Sequence, residues 1–389
     1  MERFATGRGG FERRHRIVGK GSLRRSFMTV FNIQDLADAL NGQAVGNVNM
    51  QITGASEPQD ASGGLLAIAT SPKYIEKLKM GRASMALLAA GTNWQSLDLE
   101  AAILVERPRF AMASLSSRLD NLWRSGATGV HPQAVIDGTA KIAKGARIGA
   151  FCYIGPGVIL GKNAWLGTHI SLSDGCEIGA EVTLFDGVRI GRNVRIGDRF
   201  IAQAGAVIGA DGFSFVTPKF SAVENVRETL GNSGNVVSQV YTRIHSLGAV
   251  QIGNDVELGA NSCIDRGTIR DTIIGDGCKF DNMVQVGHNV KIGSNCMICA
   301  QVGIAGSSIL GINVVLGGQT GVSDNLFIGD NVITGGATKV LSNIPAGRVM
   351  LGYPAIKMET QLEIYKSLRR LPRMLQKMAK FTKTISKSE

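Results

Sequence analysis

The sequence contains few aromatic residues and few prolines. Among its 389 residues, aromatic side chains make up only 6% and proline occurs 9 times. The low proline content excludes a collagen-like chain and argues against a disordered, low-complexity one, although glycine occurs 50 times. A chain of this length can form two or three domains with a large buried core. The abundant glycine instead predicts many tight turns.

Long apolar segments are also missing. No stretch reaches the roughly 18 consecutive apolar residues that a membrane-spanning helix needs. Residues 1–27 lack the apolar core of a secretory signal, and their Arg-rich, acid-poor composition only weakly resembles a transit peptide. We interpret residues 1–27 as a disordered basic extension and expect the folded protein to start near Met28.

Positive charge is concentrated at the two ends of the chain. The net charge of +11 combines +6 over residues 1–27 with +6 over residues 356–389, which leaves the chain between them close to neutral. A basic tail favours an acidic partner, such as nucleic acid, an anionic membrane surface or an acidic protein. A solvated tail without a partner explains the charge equally well.

A large aliphatic residue recurs at every sixth position from residue 136 onwards. The first run ends at residue 208, the frame resumes over residues 252–264, slips by four residues, and continues from residue 274 to residue 340. These runs contain 28 hexads. A period of six fits neither a helix nor an alternating strand, and it is typical of a parallel β-helix. The repeat predicts a mainly β fold, a left-handed parallel β-helix over residues 131–345, with three hexads in each triangular coil.

The other positions of the hexad follow from this architecture. Glycine often follows the inward aliphatic residue, and we expect it to permit positive φ at the corner. The fourth position after the aliphatic residue is small or β-branched, and four cysteines there are expected to be packing residues. A CxxC pair has no second pair to complete a zinc site, and reduced cysteines favour the cytosol. The four packing cysteines are Cys152, Cys176, Cys278 and Cys296.

Segments outside the repeat have a different character. The pattern of residues 28–125 predicts a small α/β domain. In this domain NIQDLADALNG is expected to form a helix that ends at Gly42, and LEAAILVER and ASMALLAAG are expected to form short buried strands or helices. Residues 210–250 interrupt the repeat as a long insertion, a kind of segment that often carries function. The sequence of residues 346–389 predicts a basic helical tail, with Pro372 between two helices. This tail could cap the open edge of the prism.

One histidine stands out within the repeat. His288, in DNMVQVGHNVKIG, lies two residues beyond the inward Val286, which predicts a corner position outside the stacked core. A structural histidine is the ordinary explanation, but its polar neighbours and the broken period of CIDRGTIRDTIIGDGCKFDN favour a functional site. A neutral imidazole oriented by Asp281 could act as a general base on an amine or hydroxyl that attacks an acyl thioester. A backbone N–H would stabilise the resulting oxyanion.

Five stretches of the sequence resemble one enzyme family. From residue 28 onwards the chain is similar to the UDP-3-O-acylglucosamine N-acyltransferases, the third enzyme of lipid A biosynthesis. The IDRG and QVGHNV blocks together are specific to this family, whereas hexapeptides alone indicate only a broad acyltransferase superfamily. The matching stretches are GADGFSF (209–215), ELGANSCIDRGTIRDTIIG (257–275), DNMVQVGHNVKIG (281–293), GIAGS (303–307) and LGGQTGV (316–322).

This resemblance implies a reaction and a set of site residues. A (R)-3-hydroxyacyl chain would move from the phosphopantetheine thioester of acyl carrier protein to the 2-amine of UDP-3-O-(3-hydroxyacyl)glucosamine, without a cofactor or metal. By resemblance, His288 is the general base, Asp281 orients it, and the backbone N–H of Gly306 stabilises the oxyanion. Asn282 and Gln285 line the same site.

The resemblance extends to the N-terminal domain over residues 28–125. SPKY matches the signature of the family's uridine-binding module, with Tyr74 stacking on uracil. The sequence departs from the family at Ile68, where a second aromatic residue is common, and at Ser71, where the signature has asparagine. Asn325 aligns with a histidine that holds a phosphate in some members. These departures bear on nucleotide affinity more than on the chemistry.

The family also implies partners and a location. It is a homotrimer with active sites between subunits, and the acidic acyl carrier protein would dock on the basic C-terminal helices. The enzyme would be cytoplasmic, at the inner membrane surface of a Gram-negative bacterium, with no nucleic-acid partner and no transmembrane segment.

Other functions stay open at this point. A related hexapeptide transferase could use acyl-CoA or another nucleotide sugar, although the SPKY and IDRG blocks count against it. A β-helical zinc hydratase would need three converging histidines, and His169, His245 and His288 are far apart in sequence. A non-enzymatic scaffold would leave the polar residues around His288 unexplained.

Overall fold

The computed structural model describes residues 30–120, 128–229, 231–352 and 354–385. The predicted basic extension over residues 1–27 lies outside these ranges. The chain divides into two compact units, Met1–Gly126 and Ala127–Glu389.

The first unit is a small α/β domain. Its strands β1 to β7 are Phe31–Asn32, Gln43–Gly46, Gln51–Ile52, Gly54–Ser56, Leu65–Ile68, Met85–Ala89 and Ala101–Val105. Its helices α1 to α3 are Ile33–Ala39, Pro72–Leu78 and Pro108–Leu119, and a 3-10 turn covers Trp94–Leu97. Five strands form one sheet in the order β2-β7-β6-β5-β4, in which only β2 runs antiparallel to its neighbour. Apolar strands β6 and β7 are mostly buried, so the two segments predicted as short buried strands or helices are strands.

Helix α1 ends in a different way from the prediction. The Asn32 side chain caps its start by accepting a hydrogen bond from the backbone N–H of Asp35. The helix ends at Ala39 with Leu40 as its C-cap, and the left-handed residue that follows is Asn41, with φ of 51°. Gly42 instead permits close packing, because a Cβ there would lie 2.7 Å from Cγ1 of a valine in β7.

The second unit is a β-helix built from very short strands. Strands β8 to β21 are Gly129–Val130, Val135–Ile136, Lys141–Ile142, Arg147–Ile148, Tyr153–Ile154, Ile159–Leu160, Trp165–Leu166, Ser171–Leu172, Glu177–Ile178, Thr183–Leu184, Arg189–Ile190, Arg195–Ile196, Ile201–Ala202 and Val207–Ala210. The insertion then contributes β22 (Phe215–Val216), α4 (Ala222–Thr229) and β23 (Thr242–Arg243), of which the two strands pair antiparallel.

The β-helix resumes after the insertion and continues to the last strand. Strands β24 to β39 are Val250–Ile252, Glu257–Leu258, Cys263–Asp265, Thr272–Ile274, Lys279–Phe280, Gln285–Val286, Lys291–Ile292, Met297–Ile298, Gly303–Ile304, Ile309–Leu310, Val315–Leu316, Gly321–Val322, Phe327–Ile328, Ile333–Thr334, Lys339–Val340 and Val349–Met350. They belong, with the earlier strands, to three parallel sheets of 9, 11 and 10 strands. Over most of the prism each strand pairs with the strand three places along, as β29 pairs with β32, so three strands form one coil. The insertion widens this interval, so that β19 pairs with β24. The predicted left-handed parallel β-helix is confirmed.

From β11 to β38, the second residue of each two-residue strand in the three parallel sheets points into the prism. From Ile148 onwards the repeated aliphatic residues are buried in one continuous core. Burying one such side chain is worth about 1.5–3 kcal/mol, so the stacked rows are the main source of stability. The cysteines at the small inward position are buried as well, and burial raises the pKa of the Cys176 thiol to about 11. Their packing role is confirmed.

The glycines that follow the inward residue do not have the predicted role. Positive φ is found two residues further on, often at asparagine, as at Asn289 (62°) and Asn295 (58°). Of the glycines directly after the inward residue, Gly209 has positive φ, whereas Gly293 does not. A Cβ on Gly293 would lie 2.6 Å from the carbonyl oxygen of Gly311 in the next coil. Glycine is needed there because the coils stack closely, so the prediction of positive φ was wrong at most of these positions.

The C-terminal segment forms one helix instead of two. Helix α5 runs over Met358–Ile385 with Pro372 inside it. The proline removes one intrahelical N–H donor, which weakens the helix without ending it here. All of its described side chains, from residue 358 to residue 380, are exposed, so α5 does not cap the prism within this chain. None of the helices in the described ranges is long and apolar enough to cross a membrane.

Candidate functional site

His288 occupies a corner of the β-helix. It lies two residues after the inward Val286 of β29, in the turn that leads to β30, and its side chain is half-buried. The corner position predicted by counting hexads is confirmed. The ring therefore lies outside the apolar core, where it can meet a ligand.

Two glycines enclose the imidazole of His288. Gly306 lies one coil further on at the same corner, and a Cβ there would lie 2.7 Å from Cε1 and 2.8 Å from Nε2 of the ring. Gly212 belongs to the insertion, and a Cβ on it would lie 2.6 Å from Cβ of His288. Any larger residue at either position would displace the histidine. Gly306 was predicted from the sequence, whereas Gly212 was not. The insertion does not follow the six-residue repeat, so the repeat cannot predict where Gly212 packs on the prism.

The hydrogen bond to the ring comes from the next residue in the chain. Nδ1 of His288 lies 2.9 Å from Oδ1 of Asn289, whose amide is itself held on both sides. Its Nδ2 donates to the carbonyl oxygen of Arg270 at 2.9 Å, and its Oδ1 accepts from the backbone N–H of Thr268 at 3.2 Å. Asn289 is only 7% exposed. Its position next to His288 in the sequence does not by itself indicate this contact.

Asp281 and Asn282 lie at a different corner, between β28 and β29. The carboxylate of Asp281 accepts from the backbone N–H of Asn282 at 2.7 Å and of Ala300 at 3.1 Å. Oδ1 of Asn282 accepts from the backbone N–H of Ala260 at 2.7 Å. Among the hydrogen bonds of the described residues, neither side chain reaches His288. An orienting role for Asp281 would need a second copy of the chain, and it stays a prediction.

A carboxyl group, Asp265 of the IDRG block, lies near His288. Gln285 lies on the outer face of β29 and forms a side-chain hydrogen bond with Asp265 of β26. Burial raises the pKa of Asp265, and the hydrogen bonds from Gln285 and Cys263 and the charge of His288 oppose that rise without cancelling it. The structure thus places a half-buried carboxyl group near the imidazole.

Arg266 fastens the insertion beside this corner. The side chain is only 3% exposed, and its Nε donates to the carbonyl oxygen of Gly248 at 2.7 Å. Its backbone N–H donates to the carbonyl oxygen of Ala210 at 2.8 Å, so one residue holds both ends of the insertion. Gly212 is further held by a 3.0 Å hydrogen bond from its N–H to Oγ of Ser246. These bonds keep Gly212 against the histidine.

Asn325 and Gly306 continue the same edge of the prism. The backbone N–H of Asn325 donates to the carbonyl oxygen of Gly306 at 3.1 Å, and its Nδ2 donates to Oδ2 of Asp324 at 3.1 Å. The Asn325 side chain is exposed. In the part of the chain that the structure describes, the backbone N–H of Gly306 donates no hydrogen bond. His288, Gly306 and Asn325 thus lie in three consecutive coils along one edge of the prism.

Tyr74 and Ser71 lie in the first unit, at helix α2. Ser71 is the N-cap residue, and its hydroxyl forms no capping hydrogen bond. Tyr74 is partly buried against the domain core, and Nζ of Lys77 lies 5.1 Å from its ring centroid. Their role in holding a nucleotide stays a prediction.

Among the described residues, no group of three or more His, Cys, Asp or Glu side chains could hold a metal ion. The zinc-hydratase alternative therefore has no ligand set in those ranges.

Comparison with known proteins identifies close relatives. The family model for bacterial transferase hexapeptides (six repeats) matches residues 271–306. The UDP-3-O-acylglucosamine N-acyltransferase of Ruegeria pomeroyi is 57% identical over 357 residues, which cover 92% of this chain and 98% of that protein. The enzyme of the same name from Paracoccus denitrificans is 55% identical over 355 residues, covering 91% and 97% of the two chains. The likeness extends over almost the full length of both relatives.

Proposed function

The chain belongs to the UDP-3-O-acylglucosamine N-acyltransferase family, and it is an acyltransferase; on this premise we propose its reaction in detail. A (R)-3-hydroxyacyl chain moves from acyl carrier protein to the 2-amine of UDP-3-O-(3-hydroxyacyl)glucosamine, a step of lipid A biosynthesis. His288 is the general base. The observation that carries this proposal is the half-buried imidazole at an outer corner, enclosed by Gly212 and Gly306.

The geometry supports base catalysis by Nε2 of His288. Nδ1 is occupied by its hydrogen bond to Asn289, which leaves Nε2 as the nitrogen that can receive a proton. The amine nitrogen attacks the thioester carbonyl carbon, the C–N bond forms, and Nε2 accepts the proton that the amine loses. When the tetrahedral intermediate collapses, the C–S bond breaks and the imidazolium returns this proton to the thiolate.

The backbone N–H of Gly306 is the proposed oxyanion donor. Within the described ranges it has no acceptor in the chain, and it lies beside the imidazole. A free N–H next to the base is the arrangement that stabilises the charge on a tetrahedral oxyanion. Gln285 and Asn325, whose exposed side chains lie beside this corner, are proposed to contact the substrate, as is Asn282 from a neighbouring copy.

Helix α5 supports the proposed homotrimer and the proposed carrier-protein partner. Its apolar side chains recur at three- and four-residue spacings, yet they are exposed in the single chain, which favours association with other copies of the helix. Its basic residues would then face outward, where an acidic acyl carrier protein can dock. The exposed apolar residues of α5 that follow these spacings are Leu362, Tyr365, Leu368, Leu371, Leu375 and Met378.

The substrate assignment extends to the first unit and to the location. We propose that Tyr74 stacks on the uracil ring and that the uncommitted hydroxyl of Ser71 contacts the nucleotide. No cofactor is proposed, since the phosphopantetheine thioester is itself a substrate. The proposed substrates place the reaction in the cytoplasm, at the inner membrane surface of a Gram-negative cell.

The test is an N-acyl transfer assay with 3-hydroxyacyl carrier protein and UDP-3-O-acylglucosamine. His288→Ala should lower kcat by roughly a hundredfold or more with the oligomer intact. His169→Ala is the matched control, because His169 lies at another corner and stacks on Phe151 at 4.9 Å between ring centroids. A fully active His288→Ala variant would remove this residue from the mechanism while leaving the reaction.

The donor decides between the proposal and its main alternative. The same assay with 3-hydroxyacyl-CoA in place of the carrier protein should give much slower transfer. Equal or faster transfer from CoA would support a related hexapeptide transferase. An absence of transfer with either donor, across several chain lengths, would overturn the proposed reaction.

A further inference from the structure

We propose that Asn289 is the positioning residue of the site, which holds the His288 imidazole in the tautomer with a proton on Nδ1 and a lone pair on Nε2. The inference rests on the proposed role of His288 as the base. In this proposal the neutral amide of Asn289, from the same chain, orients the imidazole. The sequence resemblance assigned that role to the carboxylate of Asp281.

The orientation of the Asn289 amide follows from its partners. A carbonyl oxygen can only accept and a backbone N–H can only donate, so the bond to the Arg270 carbonyl identifies Nδ2 and the bond from Thr268 N–H identifies Oδ1. Oδ1 therefore faces the ring as an acceptor, at 2.9 Å from Nδ1. Nδ1 of the neutral imidazole must carry the proton, and Nε2 keeps the lone pair that the base needs.

The backbone of Asn289 is held as firmly as its side chain. It has φ of 62°, a left-handed conformation that asparagine tolerates better than most residues. Its N–H donates to Oγ1 of Thr272 at 2.9 Å, and its carbonyl oxygen accepts from Nη2 of Arg270 at 3.3 Å. With 7% of its surface exposed, Asn289 has little freedom to change its contact with the ring.

The slip in the hexapeptide repeat has a function in this arrangement. The extra residues between Ile264 and Ile274 form the loop that contributes the N–H of Thr268 and the carbonyl of Arg270. A coil of regular length would leave no residues to hold the amide. Gly267 in this loop lies close enough that a Cβ on it would be 3.0 Å from Nδ2 of Asn289. The break in the period is thus part of the site.

The charge of the orienting group sets how the base responds to pH. A carboxylate beside an imidazole favours its protonated form, whereas an amide adds no charge. The other ionisable groups on the elements around His288 are Asp265 at the end of β26, Arg270 in the loop that follows, Asp211 beside Gly212 in the insertion, and Asp324 beyond Gly306. They are unchanged by substitution at position 289, so a variant there isolates the orienting group.

The first test reads the tautomer directly. In 15N-histidine-labelled protein, two-bond 1H–15N correlation spectra should show Nδ1 protonated and Nε2 unprotonated for His288, assigned by the loss of its signals in His288→Gln. In Asn289→Ala the Nε2-protonated tautomer should appear. Asn295→Ala is the matched control. Asn295 has φ of 58° at the equivalent position of another corner, so alanine there introduces similar backbone strain. This readout does not depend on activity.

The second test uses kinetics. Asn289→Ala should lower kcat by roughly 10- to 100-fold with KM for the nucleotide sugar little changed. Asn289→Asp keeps the acceptor and should restore most of kcat, but with the acid limb of the pH–rate profile moved upward by about one pH unit. Asn295→Ala should leave both parameters near the wild-type values.

Several outcomes would overturn the inference. One is a wild-type His288 protonated on Nε2, and another is an Asn289→Ala variant with wild-type tautomer and kcat. A third is a tautomer that changes in Asp281→Asn and not in Asn289→Ala, which would assign the task to Asp281 of a neighbouring copy. A fully active His288→Ala variant would instead refute the proposed base, and the tautomer measurement would still decide what Asn289 does to the ring.

Discussion

His288 and Gly306 occupy the same place in consecutive coils, and the imidazole lies where the side chain of residue 306 would be. A Cβ on Gly306 would lie 2.8 Å from Nε2, closer than real Cβ contacts allow. The absence of a side chain in one coil therefore creates the space for the functional side chain of the coil before it. In the ranges that the structure describes, the N–H of the same glycine donates no hydrogen bond.

Gly306→Ala should inactivate the enzyme while leaving it folded. Gly306 does not have positive φ, so alanine suits the backbone, but its methyl group would push the ring aside. A displacement near 1 Å can cost on the order of a hundredfold in rate, and kcat measured by acyl transfer should fall by about that factor. Gly138→Ala is the control, because it occupies the equivalent corner in an early coil and its Cβ would meet nothing within 4 Å. Equal activity of the two variants would show that the contact with the ring is unimportant.

The two kinds of corner position should differ in how much a substitution changes the free energy of unfolding. Gly293→Ala would place a Cβ 2.6 Å from a carbonyl oxygen of the next coil, and should lower the free energy of unfolding by about 2 kcal/mol. Asn295→Gly, at φ of 58°, should change it by less than about 1 kcal/mol, since glycine adopts this conformation freely. Denaturant unfolding of both variants checks this. Similar losses would mean that close stacking of the coils is not what requires the glycine.

The repeat made much of the architecture predictable. Counting hexads located the strands, the rows of inward side chains, the buried cysteines and the corner position of His288, because every coil repeats the same local backbone structure. The count could not show that the glycines are needed for close stacking of the coils and not for a positive φ. Glycine suits both requirements, so its presence does not distinguish them. Pro372 misled the prediction because one missing hydrogen bond weakens a helix without always ending it.

The site was less predictable than the fold for a physical reason. Its contacts come from segments that do not follow the period: Gly212 from the insertion, and Asp265 and Thr268 from the slipped coil. Nothing in the spacing of these residues relates them to His288. Asn289 is adjacent to His288 in sequence, yet asparagine is common at left-handed corners, so its side-chain contact gave no separate signal.

Basic residues of α5 should determine the affinity for the carrier protein. Replacing Arg369, Arg370 and Arg373 together by alanine should raise KM for acyl carrier protein about tenfold or more and leave kcat at saturation unchanged, because only electrostatic docking is removed. The effect should shrink as salt is added. Replacing Lys141 and Lys144, basic residues at the other end of the prism, by alanine is the control. An unchanged KM in the triple variant would contradict docking on this helix.

Asp271 should make the stability of the prism depend on pH. Its carboxylate accepts from the backbone N–H of Ala249 at 2.7 Å and from Nε2 of Gln251 at 2.6 Å, and Nη2 of Arg195 lies 3.0 Å away. Burial alone would raise the pKa of Asp271, but these hydrogen bonds and the charge of Arg195 outweigh it, so the pKa is lowered. A lowered folded-state pKa means that the stabilisation is present above the unfolded pKa of about 3.9 and is lost as the pH falls through the folded value.

Asp271→Asn should therefore lower the free energy of unfolding at pH 7 by about 1–2 kcal/mol, the worth of a charge-assisted hydrogen bond. The difference from wild type should diminish below about pH 4, as Asp271 itself becomes protonated. Urea unfolding at pH 7 and at pH 3 measures both values. Asp276→Asn is the control, because Asn254 fills the same corner position one coil earlier with an equivalent acceptor oxygen. A deficit of the same size at both pH values would show that the charge of Asp271 does not stabilise the return of the insertion to the prism.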